Sequence, residues 1–457
     1  MLKKLIVWVK KLLGISRPYY SLGEVFGCPE QPPQNCPTFL IRQVHQEFQN
    51  VLSTYNIIVV YGESRQGKTW TIEKYCLAQI RIGCNASMDI KQIKIDMLHA
   101  VNVEICEIEH SITEEYSSGS NMYTEVGASL ISKAGGNSTT ATAHSETIKT
   151  KYSTVNIDST EEFLSAIEQG SNGKFFVFDN FHYLSPKVQQ EFCSLLKEFN
   201  YRGIHVVIVG VWKESSRITA LAPDLVNRCA HIDIGSWSND ELQQVVTLGA
   251  EALNIKISEN ITLLFKRCCA NNIGIFKDFL QKFCQNSGVL ETQENCKILD
   301  NMKFATNAAE IVVREAYSPL HDRLKNLATP QRVRKDSKQV RQKIVAAILQ
   351  LIIQKDIHST QGGLWANDIQ SRINEICTAQ QEDLIQPSNI IQELGNLHLR
   401  EENRQTVQNF IPLFYYDKTN RKVLVIEPTI YMIKEYNCNL LQDILDEILS
   451  LNEATTR

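Results

Sequence analysis

Short apolar runs punctuate residues 57–234. Ile57 to Tyr61, Phe175 to Phe178, Ile204 to Val209 and the shorter His231 to Ile234 are rich in β-branched or aromatic side chains. Continuous runs of this kind read as strands buried on both faces, the usual state of a parallel sheet. Helix-period patterns lie between them, at Trp70 to Ile80 and at 186–199. Strands alternating with helices predict an α/β layer fold. Beyond residue 238 helical patterns take over, first at 238–290, then at Ile344 to Ile353, near 365–377 and near 387–397. Two strands follow, Phe410 to Tyr416 and Lys422 to Ile426, with Asp417-Lys418-Thr419-Asn420-Arg421 as the turn. Three helices and a β-hairpin in that order suggest a winged helix. At the other end, Leu2, Leu5, Ile6, Val9, Leu12 and Leu13 share one helical face, and Lys3, Lys4, Lys10 and Lys11 share the opposite one. That is a basic amphipathic helix, suited either to a membrane surface or to packing on a protein. Pro18 ends it, and Pro29, Pro32, Pro33 and Pro37 mark a linker.

The candidate chemistry begins where the first strand ends. Gly62-Glu63-Ser64-Arg65-Gln66-Gly67-Lys68-Thr69 is a G-x-x-x-x-G-K-T octapeptide between a predicted strand and a predicted helix. Glycines let backbone N–H groups wrap a phosphate chain, and the following helix N-terminus adds positive potential. Lys68 would neutralise β- and γ-phosphates, and the Thr69 hydroxyl would bind Mg²⁺. A second strand must bring an acid to the metal, and Asp179, directly after Phe175 to Phe178, meets that need. The next position, where a general base would activate water, is Asn180, an amide that takes no proton. Glu63 and His182 are the alternative polarisers. Hydrolysis is therefore expected to be slow or absent.

Composition narrows the picture. The 457 residues suffice for two or three domains, and 43% hydrophobic with 21% charged residues excludes a mostly disordered chain. A net charge of -4 excludes a molecule basic as a whole, so any nucleic-acid surface is local. One such region is 314–343, where nine Lys and Arg face three acids. Arg400, Arg404, Lys418 and Arg421 could add to it, although Pro387 to Leu394 is poor in basic residues. Residues 117–150, rich in Ser, Thr, Gly and Ala, interrupt the α/β pattern and read as a flexible or functional loop. The 13 cysteines contain no C-x-x-C pair, which argues against a disulfide framework and for a reducing compartment. No apolar run has the length of a spanning helix.

The order of parts resembles the AAA+ branch of P-loop ATPases over about 38–290. Within it, FFVFDNFHYL followed by VVIVGVW is similar to a group of bacterial ATP-binding proteins. The fold this implies is a P-loop NTPase parallel sheet with a helical lid, followed by an α+β winged-helix domain. The resemblance implies ATP with Mg²⁺ as ligands and Arg228, just before the last strand, as the residue that reaches a neighbour's γ-phosphate in a homo-oligomer. It also implies that Asn272-Ile273-Gly274-Ile275-Phe276-Lys277 opens the lid helix, with Lys277 as second sensor. Phe178 stands where the family usually has an acid, and Val211 and Trp212 stand near its polar sensor. The expected organisation is an amphipathic helix at 1–17, a Pro-rich linker at 18–37, the ATPase core at 38–237, the lid at 238–300, a basic linker at 301–343 and the winged-helix domain at 344–457. Such a chain would be a cytoplasmic ATP-binding switch, peripheral at the inner face of a membrane if the first helix binds there, in a prokaryotic stress or defence system. Its rivals are an ATP-dependent DNA loader or regulator and a membrane-tethered scaffold that does not hydrolyse ATP.

Overall fold

In a computed structural model the described residues are 18–29, 36–103, 155–210, 218, 223–329, 339–418 and 420–451, except 403–411. The expected amphipathic helix, the Ser/Thr-rich insert, most of the 211–222 segment and the middle of the basic stretch lie outside them. Five parallel strands form the central sheet: β1 (Ile57–Tyr61), β2 (Gln79–Gly83), β3 (Phe175–Asp179), β4 (Val206–Val209) and β5 (Cys229–Asp233), in the order β2-β3-β4-β1-β5. The middle strands are buried on both faces because their residues alternate between two apolar layers. Val59, Phe176, Phe178 and Ile208 point into one layer; Ile58, Val60, Val177 and Val207 point into the other.

Strand β2 corrects the sequence expectation of a helix from Trp70 to Ile80. That helix, α3 (Lys68–Tyr75), ends at Cys76, and Gln79 to Gly83 pairs with β3 instead. Edge position explains the weak signal. Only one side of β2 has a strand partner, and Ile82 is its one fully buried residue. α2 (Gln43–Leu52) precedes β1, and α4 (Ile90–Ala100), α5 (Thr160–Ser171) and α6 (Pro186–Tyr201) complete the sheet body.

The second body begins with α7 (Asn239–Leu253), α8 (Glu259–Cys268) and α9 (Ile273–Asn286), with β6 (Ile255–Ile257) and β7 (Lys297–Leu299) as a small parallel pair. α10 (Met302–Ala328) follows as one 27-residue helix. Much of the expected basic linker is thus a long helix whose Ala305, Ala308, Ala309, Val312 and Val313 are buried. The expected Pro-rich linker also holds structure. Ser21 caps α1 (Leu22–Phe26) with a full capping box, and Leu22 N–H donates to Leu290 O at 2.8 Å. Gly249 is required there, because a Cβ would stand 2.3 Å from the Phe26 ring.

α11 (Val340–Gln354), α12 (Ile357–Gln361), α13 (Ala366–Ala379) and α14 (Pro387–Glu402) precede the wing, β9 (Phe414–Asp417) and β10 (Lys422–Val425). β8 (Leu364–Trp365) joins them in the sheet order β8-β10-β9, which makes the unit a winged helix. α15 (Thr429–Ser450) runs back beside α10. One continuous apolar cluster links α1, the lid helices, α10, the winged helix and α15. The lid and the C-terminal domain are therefore packed as a single body. Among the described residues no helix is long and apolar enough to cross a membrane, the cysteines are free thiols, and no His/Cys/Asp/Glu cluster could hold a metal.

Candidate nucleotide-binding site

The loop after β1 turns on three unusual backbone positions. Gly62 has φ 146° and Gly67 has φ 96°, values open mainly to glycine. Arg65 holds φ 64° with a side chain in place. Gly67 is the N-cap of α3, so the loop delivers its N–H groups and the helix N-terminus to one point. Lys68 Nζ donates to the carbonyls of Gly62 at 2.9 Å and Glu63 at 2.6 Å. Burial lowers the Lys68 ammonium to about 8, and Asp179, Glu63 and Asp233 act against that shift.

A cleft of about 260 Å³ opens over this loop. Ser64 to Thr69 line it, and Asp179 and Asn180 stand on the same wall. Gly62 and Glu63 are not among the lining residues; their carbonyls hold Lys68 from behind. A hydroxyl at Thr69 and a carboxylate at Asp179 are hard oxygen donors, which fit Mg²⁺. Asn180 has φ 60° and caps the turn Phe181–Tyr183, a left-handed position that asparagine tolerates better than most residues. Its N–H donates to Asp179 Oδ1 at 3.0 Å, which orients the carboxylate. Neither Glu63 nor His182 lines the cleft. Glu63 is buried, with Gln66 Nε2 3.4 Å from its Oε2.

Arg228 lies elsewhere. It is exposed on the turn before β5, and its neighbour Cys229 pairs with Ile57, the first residue of β1. The phosphate loop leaves the other end of β1, after Tyr61. Four strand rises, roughly 13 Å, separate those ends. Arg228 is therefore at the opposite end of the strands from its own chain's loop.

The opposite wall comes from residues that carry no motif. Cys28, Pro29, Thr38, Phe39, Leu40 and His45 form one side. His45 stacks on Phe39 at 5.3 Å and accepts from Arg42 N–H through Nδ1 at 3.2 Å. Burial, with the charge of Arg42, pushes its imidazole down to about 4, so the ring stays neutral and serves as an apolar wall. Trp237 and Lys277 supply the lid side. Lys277 is buried with its Nζ 4.6 Å from the Trp70 ring centre, and burial lowers its ammonium.

The lid grips the loop itself. Asn272 Nδ2 donates to Ser64 O at 2.8 Å, Gly274 N–H to Arg65 O at 3.1 Å, and Trp237 Nε1 to Gln66 O at 3.3 Å. Arg65 adds an ion pair with Asp278 at 2.6 Å. Nearby, Arg42 bonds Glu241 at 2.7 Å and the carbonyls of Ile234 and Ser236, and lies over the Trp237 ring. Asn272 caps α9 while reaching the loop, because its Oδ1 accepts from Ile275 N–H.

Sheet order, phosphate loop, lid and winged helix together define the fold of an AAA+ P-loop ATPase. A Walker-type ATPase of Pyrococcus abyssi is similar over 88% of this chain and 96% of that one, at 10% identity and a TM-score of 0.50. The ORC2 protein of Aeropyrum pernix, seen in ADPNP and ADP complexes, is similar over 90% and 93% at 10% identity and a TM-score of 0.43. Cdc6p of Pyrobaculum aerophilum is similar over 93% and 98% at 14% identity and a TM-score of 0.39. No family model matches the chain, and no curated protein matches it in sequence.

Proposed function

We propose that this chain is an ATP-dependent switch that hydrolyses slowly. The observation that carries the reading is the set of lid hydrogen bonds to Ser64, Arg65 and Gln66. A triphosphate wrapped by this loop pulls on the residues the lid holds. The lid shares its apolar core with the winged helix, so both respond as one body. Lys68 would bind the β- and γ-phosphates, and Thr69 and Asp179 would hold Mg²⁺, which neutralises phosphate charge when bound. Phe39, Leu40 and His45 offer an apolar, aromatic wall to a base. Arg228 would complete the site of a second copy in a homo-oligomer, since its own loop is out of reach. Asn180 in place of a base supports slow turnover.

Calorimetry with Mg²⁺-ATP on the intact chain tests binding, and phosphate release compared with Lys68→Ala tests catalysis. ATP uptake lost in the variant supports the reading. No uptake by the native chain defeats it.

A second reading, ATP-gated DNA binding, draws on the wing. Trp365 is 52% exposed, and Lys422 sits 4.3 Å from its ring centre, beside the β9–β10 turn with Arg421 and Lys418. An exposed aromatic with cations around it suits a nucleic acid. Salt-dependent DNA binding that requires ATP would select this reading over a protein partner.

A further inference from the structure

A second cavity, of about 380 Å³, lies behind the phosphate loop, where α9, α10 and the start of α15 meet. Its wall carries two ion pairs, Arg65–Asp278 at 2.6 Å and Lys282–Glu315 at 3.3 Å. Val312 and Met432 give it an apolar side, and Thr429 lines it as well. Both signs of charge stand around one apolar patch, in a space suited to a small metabolite. Sites of this kind form preferentially between domains. None of these residues except Arg65 takes part in the nucleotide cleft, and Arg65 lines both cavities.

We propose that this cavity binds a small zwitterion of the α-amino-acid class and that its occupancy changes the affinity of the loop for ATP. The ligand's ammonium replaces a cation beside Asp278 or Glu315, its carboxylate replaces an anion beside Arg65 or Lys282, and its side chain lies on Val312 and Met432. Exchange of charge partners in this way keeps each of these part-exposed charges paired, whereas a simple anion or amine would leave one without a partner. Burial raises the Asp278 carboxyl, and the neighbouring Arg65 acts against that shift. Arg65 transmits the event. Its guanidinium lies in this cavity, and its carbonyl holds Gly274 of the lid at 3.1 Å. A ligand that redirects the guanidinium alters the lid's hold on the loop, and linkage makes the effect reciprocal. The coupling rests on the ATP-switch reading; the binding site does not.

Calorimetric titration of the intact chain without nucleotide, with each of the twenty L-amino acids, tests the site. Isobutylamine serves as the amine-only probe and acetate as the anion-only probe. At least one amino acid should bind, the two single-charge probes should not, and Val312→Trp should abolish binding by filling the space. Asp278→Asn should weaken it about tenfold or more while circular dichroism stays native. Absence of binding by all twenty, equal binding of isobutylamine or acetate, or unchanged binding by a folded Val312→Trp variant overturns the proposal. With a binding amino acid at saturation, ATP affinity should change about fivefold or more. Unchanged ATP affinity overturns the coupling and leaves the ATP site itself standing.

Discussion

The sheet body and the lid body are built alike inside and joined quite differently. Each holds together through apolar layers: Val59, Phe176 and Ile208 in one, Phe265, Phe279 and Leu349 in the other. The joint between them is mainly polar, and several of its partners are backbone carbonyls of the phosphate loop. Apolar cores resist partial rearrangement, because close packing penalises any gap. Hydrogen bonds can be exchanged for others at small net cost. A molecule with this distribution keeps two rigid bodies and concentrates its adjustable contacts where a triphosphate would bind.

The comparison can be broken at the loop, at the clamp and at the wall. Lys68→Ala removes the charged donor, and ATP affinity measured by equilibrium binding should fall about a hundredfold or more, given the worth of charge-assisted bonds. In the native chain ATP affinity should also decline as pH rises through about 8, where Lys68 loses its proton before a phosphate reaches it. Arg42→Ala removes the bonds to Glu241, Ile234 and Ser236 together, and chemical denaturation should show a loss of roughly 2–4 kcal/mol.

Gly274→Ala sharpens the same point through its sign. In a free helix the change is stabilising by roughly 0.5–1 kcal/mol. Here the new Cβ would stand 2.6 Å from Arg65 Cβ, so it should cost about 1–3 kcal/mol instead. The smallest effect is at His45. Its folded value of about 4 lies below the ordinary 6.5, so the unfolded chain binds more protons between those values. The contribution of the neutral ring is therefore present above pH 6.5 and is lost as pH falls toward 4. His45→Phe should flatten the melting-temperature slope across that window.

The two halves of the cleft were unequally legible in the sequence. Gly62 to Thr69 form a contiguous motif because a loop must wrap phosphate with consecutive N–H groups. Asp179 was legible because it ends an apolar run. Trp237, Asn272 and Asp278 act on the loop from 171 to 213 residues away, and nothing local marks them. Lys277 was visible only through resemblance. Strand β2 was missed because an edge strand with one fully buried residue looks much like the tail of a helix. α1 was hidden among prolines, although Ser21 and Glu24 spell a capping box. The winged helix was legible in its order of elements, but its fusion with the lid into one core was not, since that depends on which helical faces meet.

Hydrogen exchange at the amides of Gly274 and Trp237, with and without Mg²⁺-ATP, is the most direct probe of the joint. The Gly274 amide donates to Arg65 O of the loop, and the Trp237 amide donates to Asn271 O, next to the Asn272 that grips the loop. A changed exchange rate at these positions in the native chain, absent in Lys68→Ala, is the expected result. ATP that binds tightly while both amides exchange as before would contradict the claim that the phosphate loop drives the lid.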